Sequence, residues 1–206
     1  MKLQISYNCI DLKHALNIAQ KTADFADIIE VGTLLIYKEG VNAIKEFKSI
    51  FPRKILFANT KISEKAQDSV ELFASAGATM ISVLAGIPQI TIKKTVEAAR
   101  KFDIKVVIDV FDMQTAGQIA LDSKSLGIDA ILLHQPPTPF DLSDYTSHWH
   151  SIQANTQSPL FITGNIDRTN INQIKNLKPN CIAIGSGITK AENQTTEAQF
   201  FKTILS

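Results

Sequence analysis

Eight short apolar runs recur along the chain at fairly even spacing, at residues 3–7, 28–31, 55–58, 80–84, 106–110, 130–133, 160–163 and 182–184. Each is too short for a buried helix and most are rich in Ile and Val, which predicts strands covered on both faces, as in a parallel sheet. Between the runs, polar and apolar positions alternate with helical period, for example over 13–21, 64–76 and 91–102. In the last of these, Ile92, Val96, Ala99 and Phe102 fall at steps of three and four, on one face of a helix. Gly77, Gly127 and Pro179 stand where helices should stop before the next strand.

A strand–helix unit repeated eight times in 206 residues leaves about 26 residues per unit, close to the practical minimum for a closed (β/α)8 TIM barrel. An open, doubly wound sheet shows the same alternation. Eight units with no change of composition favour closure, so the expectation is one α/β barrel domain over residues 1–206. Pro136, Pro137 and Pro139 mark one irregular loop after the sixth strand, with no sign of a linker or second domain.

Composition narrows the partners. The chain has 21 basic and 20 acidic side chains, a formal net charge of +1, and no clustered basic excess that would suit nucleic acid or an anionic membrane. With 45% hydrophobic and 20% charged residues it can bury a full core. No apolar run approaches the roughly 18–20 residues that span a bilayer. Residues 1–6 read as a strand with no signal-peptide pattern, so the expected compartment is the cytoplasm. Cys9 and Cys181 have no metal-binding spacing and fall at opposite ends of neighbouring barrel strands, so no disulfide is expected.

In such a barrel the chemistry gathers at the C-terminal ends of the strands. The polar residues there are Asn8, Glu30, Asn59, Lys61, Asp109, His134, Gly164, Asn165, Gly185 and Ser186, and all should converge on one mouth. Lys61 can neutralise a developing oxyanion or a phosphate; the plainer alternative is a solvated loop lysine paired with Glu64. Glu30 is embedded in an apolar strand, which is costly unless it meets a cation, although a structural ion pair would also serve. His134 ends the sixth strand and can move protons near neutral pH, or simply be packed and hydrogen-bonded. His148 and His150 flank Trp149 in a predicted helix and carry no such signal. Glycines after the seventh and eighth strands let backbone N–H groups approach an anion, and those two loops are the usual phosphate cradle of this fold. A phosphorylated ligand follows.

These residues, in this order, resemble the orotidine 5′-phosphate decarboxylase suprafamily, and within it the hexulose-6-phosphate synthase and 3-keto-L-gulonate-6-phosphate decarboxylase group. The resemblance runs from Leu3-Gln4 through Glu30-Val31-Gly32-Thr33, Lys61, Gly77-Ala78 and His134 to Gly185-Ser186-Gly187-Ile188-Thr189. The family hallmark Asp-x-Lys-x-x-Asp after the third strand reads here Asn59-Thr60-Lys61-Ile62-Ser63-Glu64. The resemblance implies Glu30 and Asn59 as ligands of Mg2+, Lys61 as the group that stabilises a cis-enediolate, and His134 as the proton-transfer candidate. It further implies Glu64 as an acid reaching across a dimer interface, and Gly164, Asn165, Gly185 and Ser186 as holders of a sugar phosphate. Asn8 takes the place of a strand-end aspartate near Lys61. A homodimer with both active sites at its interface is implied as well.

The decarboxylase branch usually carries an arginine at the position of Ser186 and another shortly after the histidine. Here Gln135-Pro136-Pro137 follow His134, and the arginines are Arg53, Arg100 and Arg168. The expected activity is therefore that of a magnesium-assisted lyase, condensing formaldehyde with D-ribulose 5-phosphate. Two alternatives stay open: a decarboxylase of a keto-sugar-acid phosphate, and a sugar-phosphate-binding protein that has lost turnover. Asn8, Asn59 and Glu64, which replace aspartates of the family pattern, motivate the second. Asn59 leaves Glu30 as the only clear carboxylate of the implied metal site, which should lower its affinity.

Overall fold

All eight apolar runs are strands, and parallel pairing closes them into a ring. A computed structural model describes residues 1–134 and 142–206. The strands are β1 (Lys2–Tyr7), β2 (Ile28–Val31), β3 (Ile55–Ile62), β4 (Met80–Leu84), β5 (Lys105–Val110), β6 (Ala130–His134), β7 (Leu160–Thr163) and β8 (Cys181–Ile184). Each pairs with its sequence neighbour, and β8 pairs back onto β1, Leu3 lying opposite Ile182. The closed α/β barrel, and not the open sheet, is the fold. The expected proline loop after β6 lies outside the described residues.

Helices α1 (Leu12–Thr22), α2 (Thr33–Glu39), α3 (Val41–Ile50), α4 (Ala66–Ser75), α5 (Gln89–Lys101), α6 (Met113–Leu126), α7 (Leu142–Asn155), α8 (Ile171–Asn176), α9 (Ser186–Thr189) and α10 (Gln194–Leu205) connect the strands. Asp11 starts α1 by accepting the His14 N–H at 2.6 Å, and Asn193 starts α10 by accepting that of Thr196 at 3.0 Å. Gly77 and Gly127, expected as helix stops, sit at φ of 102° and 71°, conformations that side-chain-bearing residues rarely adopt. The helix expected over 64–76 begins only at Ala66, because Lys65 before it is left-handed at φ 49°.

Strand alternation divides the core. Leu3, Ile5, Tyr7, Ile29 and Val31 face outwards and belong to the large cluster packed beneath the helices. Inside the ring, Ile28, Phe57, Met80, Val107, Ala130, Leu132, Phe161 and Cys181 form a second, separate apolar cluster that fills the barrel floor. Two residues further along four of those strands stand Glu30, Asn59, Ser82 and Asp109, buried and polar. The period of two therefore stacks a polar layer directly above an apolar plug, on the side where the strands end. Below the plug, Asp27, Thr79, Asp129 and Asn180 each accept a strand-start N–H, from Leu3, Leu56, Val106 and Leu160, all at 2.8 Å. Those bonds satisfy backbone donors that the ladders leave free.

Both cysteines are free thiols. Cys181 lies in the plug, and burial pushes its thiol far above the ordinary range. Trp149 is fully buried and donates its ring N–H to the Leu177 carbonyl at 2.8 Å, which docks α7 on the end of α8. His150 beside it is exposed.

Candidate active site

Lys61 reaches the mouth through a bulge. Opposite β4, Ala58 pairs with Ile81 but Ile62 pairs with Val83, so β3 spends four residue steps where β4 spends two. The extra residues curl out of the ladder, and Lys61 takes a left-handed conformation at φ 48°. Ser82 pins that curl: its hydroxyl accepts the Lys61 backbone N–H at 2.8 Å and donates to Asn59 Oδ1 at 3.0 Å, while its carbonyl takes the Thr60 hydroxyl at 2.7 Å. The lysine is kept in a strained backbone conformation by three neighbouring bonds. Lys61 thus belongs to the strand, and its ammonium pairs with Asp109, not with Glu64.

Asp109 is fully buried at the end of β5 and serves two cations or donors at once. Its Oδ2 meets Lys61 Nζ, and its Oδ1 lies 2.7 Å from His134 Nε2. A carboxylate only accepts, so the imidazole donates Nε2–H to it and Nδ1 is the nitrogen left for another partner. Phe111, two residues beyond Asp109 and half exposed, stacks on the His134 ring with centroids 3.9 Å apart and planes 21° apart. The same ring lies 4.6 Å from Lys61 Nζ. The four side chains make one contiguous unit with an ammonium and an imidazole facing the opening.

Glu30 and Asn59 do meet, as neighbours on β2 and β3, with 4% and 7% of their surface exposed. Their contact is a hydrogen bond: Asn59 Nδ2 donates to Glu30 Oε1 at 2.8 Å. Gln4 Nε2 donates to the other oxygen, Glu30 Oε2, at 2.6 Å. Both carboxylate oxygens are therefore met by N–H groups, and Asn59 Oδ1 is turned to Ser82. Among the described residues no group of three or more His, Cys, Asp or Glu side chains is arranged to hold a metal ion. The one buried side-chain acceptor without a partner among the described residues, Gln4 Oε1, is neutral and is the branch of its amide turned from Glu30. Donor hydrogens aimed at a lone carboxylate do not fit Mg2+, which needs oxygens facing the ion.

The other expected residues are placed as follows. Asn8 lines the mouth beside the glycine turns, and its Oδ1 accepts the Leu34 N–H at 2.9 Å, capping α2, whose own N-cap, Gly32, has no side chain to do so. A Cβ at Gly32 would collide with Asn8, which is why glycine stands there. Glu64 is exposed beyond the end of β3 and forms no ion pair among the described residues. Gly164, Asn165, Gly185 and Ser186 do come together, lining a cavity of about 290 Å3 with Asn8, Ser6, Thr163, Thr189 and Lys190. Asn165 and Gly164 both have positive φ, 44° and 104°. The steric need for glycine falls on Gly187: a Cβ there would run into the Ile166 carbonyl oxygen, whereas one at Gly185 would make only ordinary contact with Ser6. A larger cavity of about 660 Å3 opens at the opposite end of the barrel, where Thr79, Asp129 and Asn180 are spent on strand-start N–H groups.

Residues 1–136 match the family described as Orotidine 5'-phosphate decarboxylase / HUMPS. The chain belongs to that family. Over its whole length it is 26% identical to 3-hexulose-6-phosphate synthase of Bacillus subtilis (strain 168), in an alignment of 213 residues that takes in 99% of that protein. The crystal structure of 3-hexulose-6-phosphate synthase from Salmonella typhimurium superposes with a TM-score of 0.91 at 27% identity, covering 100% of this chain and 98% of that one. KGPDC from Streptococcus mutans shares the fold at a TM-score of 0.87 and 21% identity, over 99% and 96% of the two chains.

Three contributors to this arrangement, Gln4, Ser82 and Phe111, are not among the residues expected at the mouth. Gln4 and Ser82 sit inside predicted strands, and a single polar residue on an apolar strand gives no signal of its own. Their register opposite Glu30 and Asn59 appears only once the ring closes. Phe111 follows a strand-end aspartate as an exposed aromatic, and that placement could have flagged it. Asp109 was legible at the strand end, but its sharing between Lys61 and His134 was not.

Proposed function

We propose that this barrel is a lyase of the 3-hexulose-6-phosphate synthase type, condensing formaldehyde with D-ribulose 5-phosphate to 3-hexulose 6-phosphate and catalysing the reverse. The observation that carries this reading is the buried Asp109 carboxylate, shared between the Lys61 ammonium and the His134 imidazole at the barrel mouth. His134 takes a proton from C1 of ribulose 5-phosphate through Nδ1. The resulting enediolate, its oxygens drawn to Lys61, attacks the carbonyl carbon of formaldehyde, and the alkoxide so formed takes up a proton. Asp109 holds the imidazole in the required tautomer and steadies its charged form. The reaction needs a positioned base and a cation beside a developing oxyanion, and no covalent nucleophile. Those are the groups present.

The phosphate end of the substrate occupies the cavity of Gly164, Asn165, Gly185 and Ser186, and Lys190 on its wall supplies a positive charge. The mouths lie at the interface of a homodimer, with Glu64 offered to the neighbouring copy. The exposed apolar side chains of Ile10, Leu34 and Tyr37 near the ends of β1 and β2 support that assembly. Sedimentation of the purified chain as a monomer would count against it. Among the described residues no helix is long and apolar enough to cross a membrane. Two free thiols accord with a reducing compartment, the cytoplasm.

Purified protein is assayed for hexulose phosphate formation from ribulose 5-phosphate and formaldehyde, beside Lys61→Ala. Product formed by the chain and not by the variant is the expected result. Equal rates would overturn the reading. A second reading, a sugar-phosphate binder without turnover, draws on Asn8 being spent as a helix cap and on Asn59 being spent on Glu30. It gains if calorimetry detects ribulose 5-phosphate binding while the assay detects no product. A decarboxylase reading finds no arginine at Ser186.

A further inference from the structure

The polar layer of the barrel is wired as a single chain of side chains across four adjacent strands. Gln4 on β1 donates to Glu30 on β2, Asn59 on β3 donates to Glu30 from the other side, and Ser82 on β4 donates to Asn59. Gln4 and Ser82 are wholly buried, and Glu30 and Asn59 nearly so. The orientation of the Asn59 amide follows from chemistry. Its oxygen placed 2.8 Å from a carboxylate oxygen would set two acceptors against each other, so the nitrogen faces Glu30. Glu30 thus has a hydrogen-bond donor on each oxygen and lies apart from the Lys61–Asp109 pair.

We infer that the Asn59 amide N–H takes the place of a divalent cation beside Glu30, so that this chain holds no Mg2+ there and Lys61 is the cation on which its active site depends. For an ion to enter, the Asn59 amide would have to turn over, abandoning its bonds to Glu30 and Ser82 together. The set then facing the ion would be one carboxylate and one neutral oxygen, and affinity for hard cations follows the charge of the ligand set. An aspartate at position 59 has no N–H to offer and would set a second carboxylate against Glu30, a pair that needs a cation or a shared proton between them. The side chain at 59 therefore decides between an ion and a hydrogen bond. The inference concerns the protein's own residues and stands whichever sugar phosphate the site receives.

Mn2+, a spectroscopic substitute for Mg2+, tests this without turnover. Electron paramagnetic resonance follows bound Mn2+ in the wild-type chain, Glu30→Gln and Asn59→Asp, each with and without D-ribulose 5-phosphate. The relevant signal is the component that Glu30→Gln abolishes. In the wild type none is expected at millimolar Mn2+ in either arm, and Asn59→Asp should tighten binding by at least about tenfold. A Glu30-dependent Mn2+ site in the wild type, with or without the sugar phosphate, overturns the inference. If neither the wild type nor a folded Asn59→Asp binds Mn2+, the claim that the Asn59 amide decides the matter is overturned. Should Asn59→Asp fail to fold, the wild type against Glu30→Gln still decides whether the site holds an ion. Catalytic failure alone would show in none of these signals.

Discussion

The Oδ1 atom of Asp109 lies 2.7 Å from Nε2 of His134, and its other oxygen is taken by Lys61. One buried carboxylate thereby fixes both the tautomer of the imidazole and the reach of the ammonium. Asp109→Asn keeps the size of the side chain and removes its charge, and its amide nitrogen must now face either a donor or a cation. Displacing a catalytic group by about 1 Å can cost on the order of 100-fold in rate, and a loss of at least about that size is expected in hexulose phosphate formation. Affinity for ribulose 5-phosphate, measured by calorimetry, should change little, because the cavity proposed for the phosphate is built from other strands. A loss of binding equal to the loss of rate would mean that Asp109 supports the substrate and not the chemistry.

Ser82 holds the β3 bulge through its hydroxyl, which meets the Lys61 N–H and the Asn59 amide oxygen. Ser82→Ala leaves both partners unsatisfied, the Asn59 oxygen buried and the Lys61 N–H half-buried. Stranding such groups costs about 1–3 kcal/mol, and urea unfolding should show a loss in that range. Lys61 would also lose the contact that maintains its left-handed backbone, so the condensation rate should fall. Ser82→Thr keeps the hydroxyl and should recover most of both. A Ser82→Ala protein with unaltered rate would show that Lys61 is aimed by the Asp109 pair alone.

The barrel was legible because its signal is repeated. Each strand is a local apolar run, and eight of them with helical stretches between leave little choice of architecture. The mouth was legible at Lys61, His134 and the two glycine turns, since strand ends are where this fold exposes polar groups. Contacts that depend on register could not be read. The partner of Lys61 is 48 residues away across two strands, and the nearby Glu64 was the only candidate that sequence distance offered. Asn8 was read as a mouth residue and does line the cavity of the two glycine turns, but its second task, capping α2 across Gly32, depends on contacts that sequence distance hides. The resemblance implied a metal at Glu30, and the hydrogen bonds that oppose one run from Gln4 and Asn59 on strands either side of it.

Gly187 and Gly185 should respond differently to an added methyl group. At Gly187 the new Cβ meets the Ile166 carbonyl, which is backbone and cannot swing aside; at Gly185 the nearest atom outside its chain neighbours is the Ser6 carbonyl oxygen, 3.5 Å away. Gly187→Ala is expected to destabilise by about 1–3 kcal/mol through overpacking. It should also weaken ribulose 5-phosphate binding by pushing apart the loops after β7 and β8. Gly185→Ala should alter stability by about 0.5 kcal/mol or less. Urea unfolding and calorimetry on the two variants check both statements, and equal losses would mean that the loops are not in close contact.

Asp27 ties the chain's last helix to its first strand. Its Oδ2 accepts the Leu3 N–H, and both its oxygens lie 2.8 Å from Lys202 Nζ on α10. Burial alone would raise the Asp27 carboxyl, but the Lys202 ammonium and the Leu3 N–H outweigh it and hold the group below the usual carboxylate range. Between that lowered value and the ordinary value of about 3.9, the unfolded chain binds more protons than the folded one. Stability from this pair is therefore complete above the ordinary value and is lost as the pH falls through the lowered one. With side chains about a third exposed, 33% for Asp27 and 35% for Lys202, solvent screening keeps the contribution at about 1 kcal/mol or less. Urea unfolding of the wild type and Asp27→Asn should differ by a constant amount from pH 7 down to about 5, and the difference should shrink at pH 3. A difference that grows on acidification would contradict the assignment of Asp27 as the ionised partner.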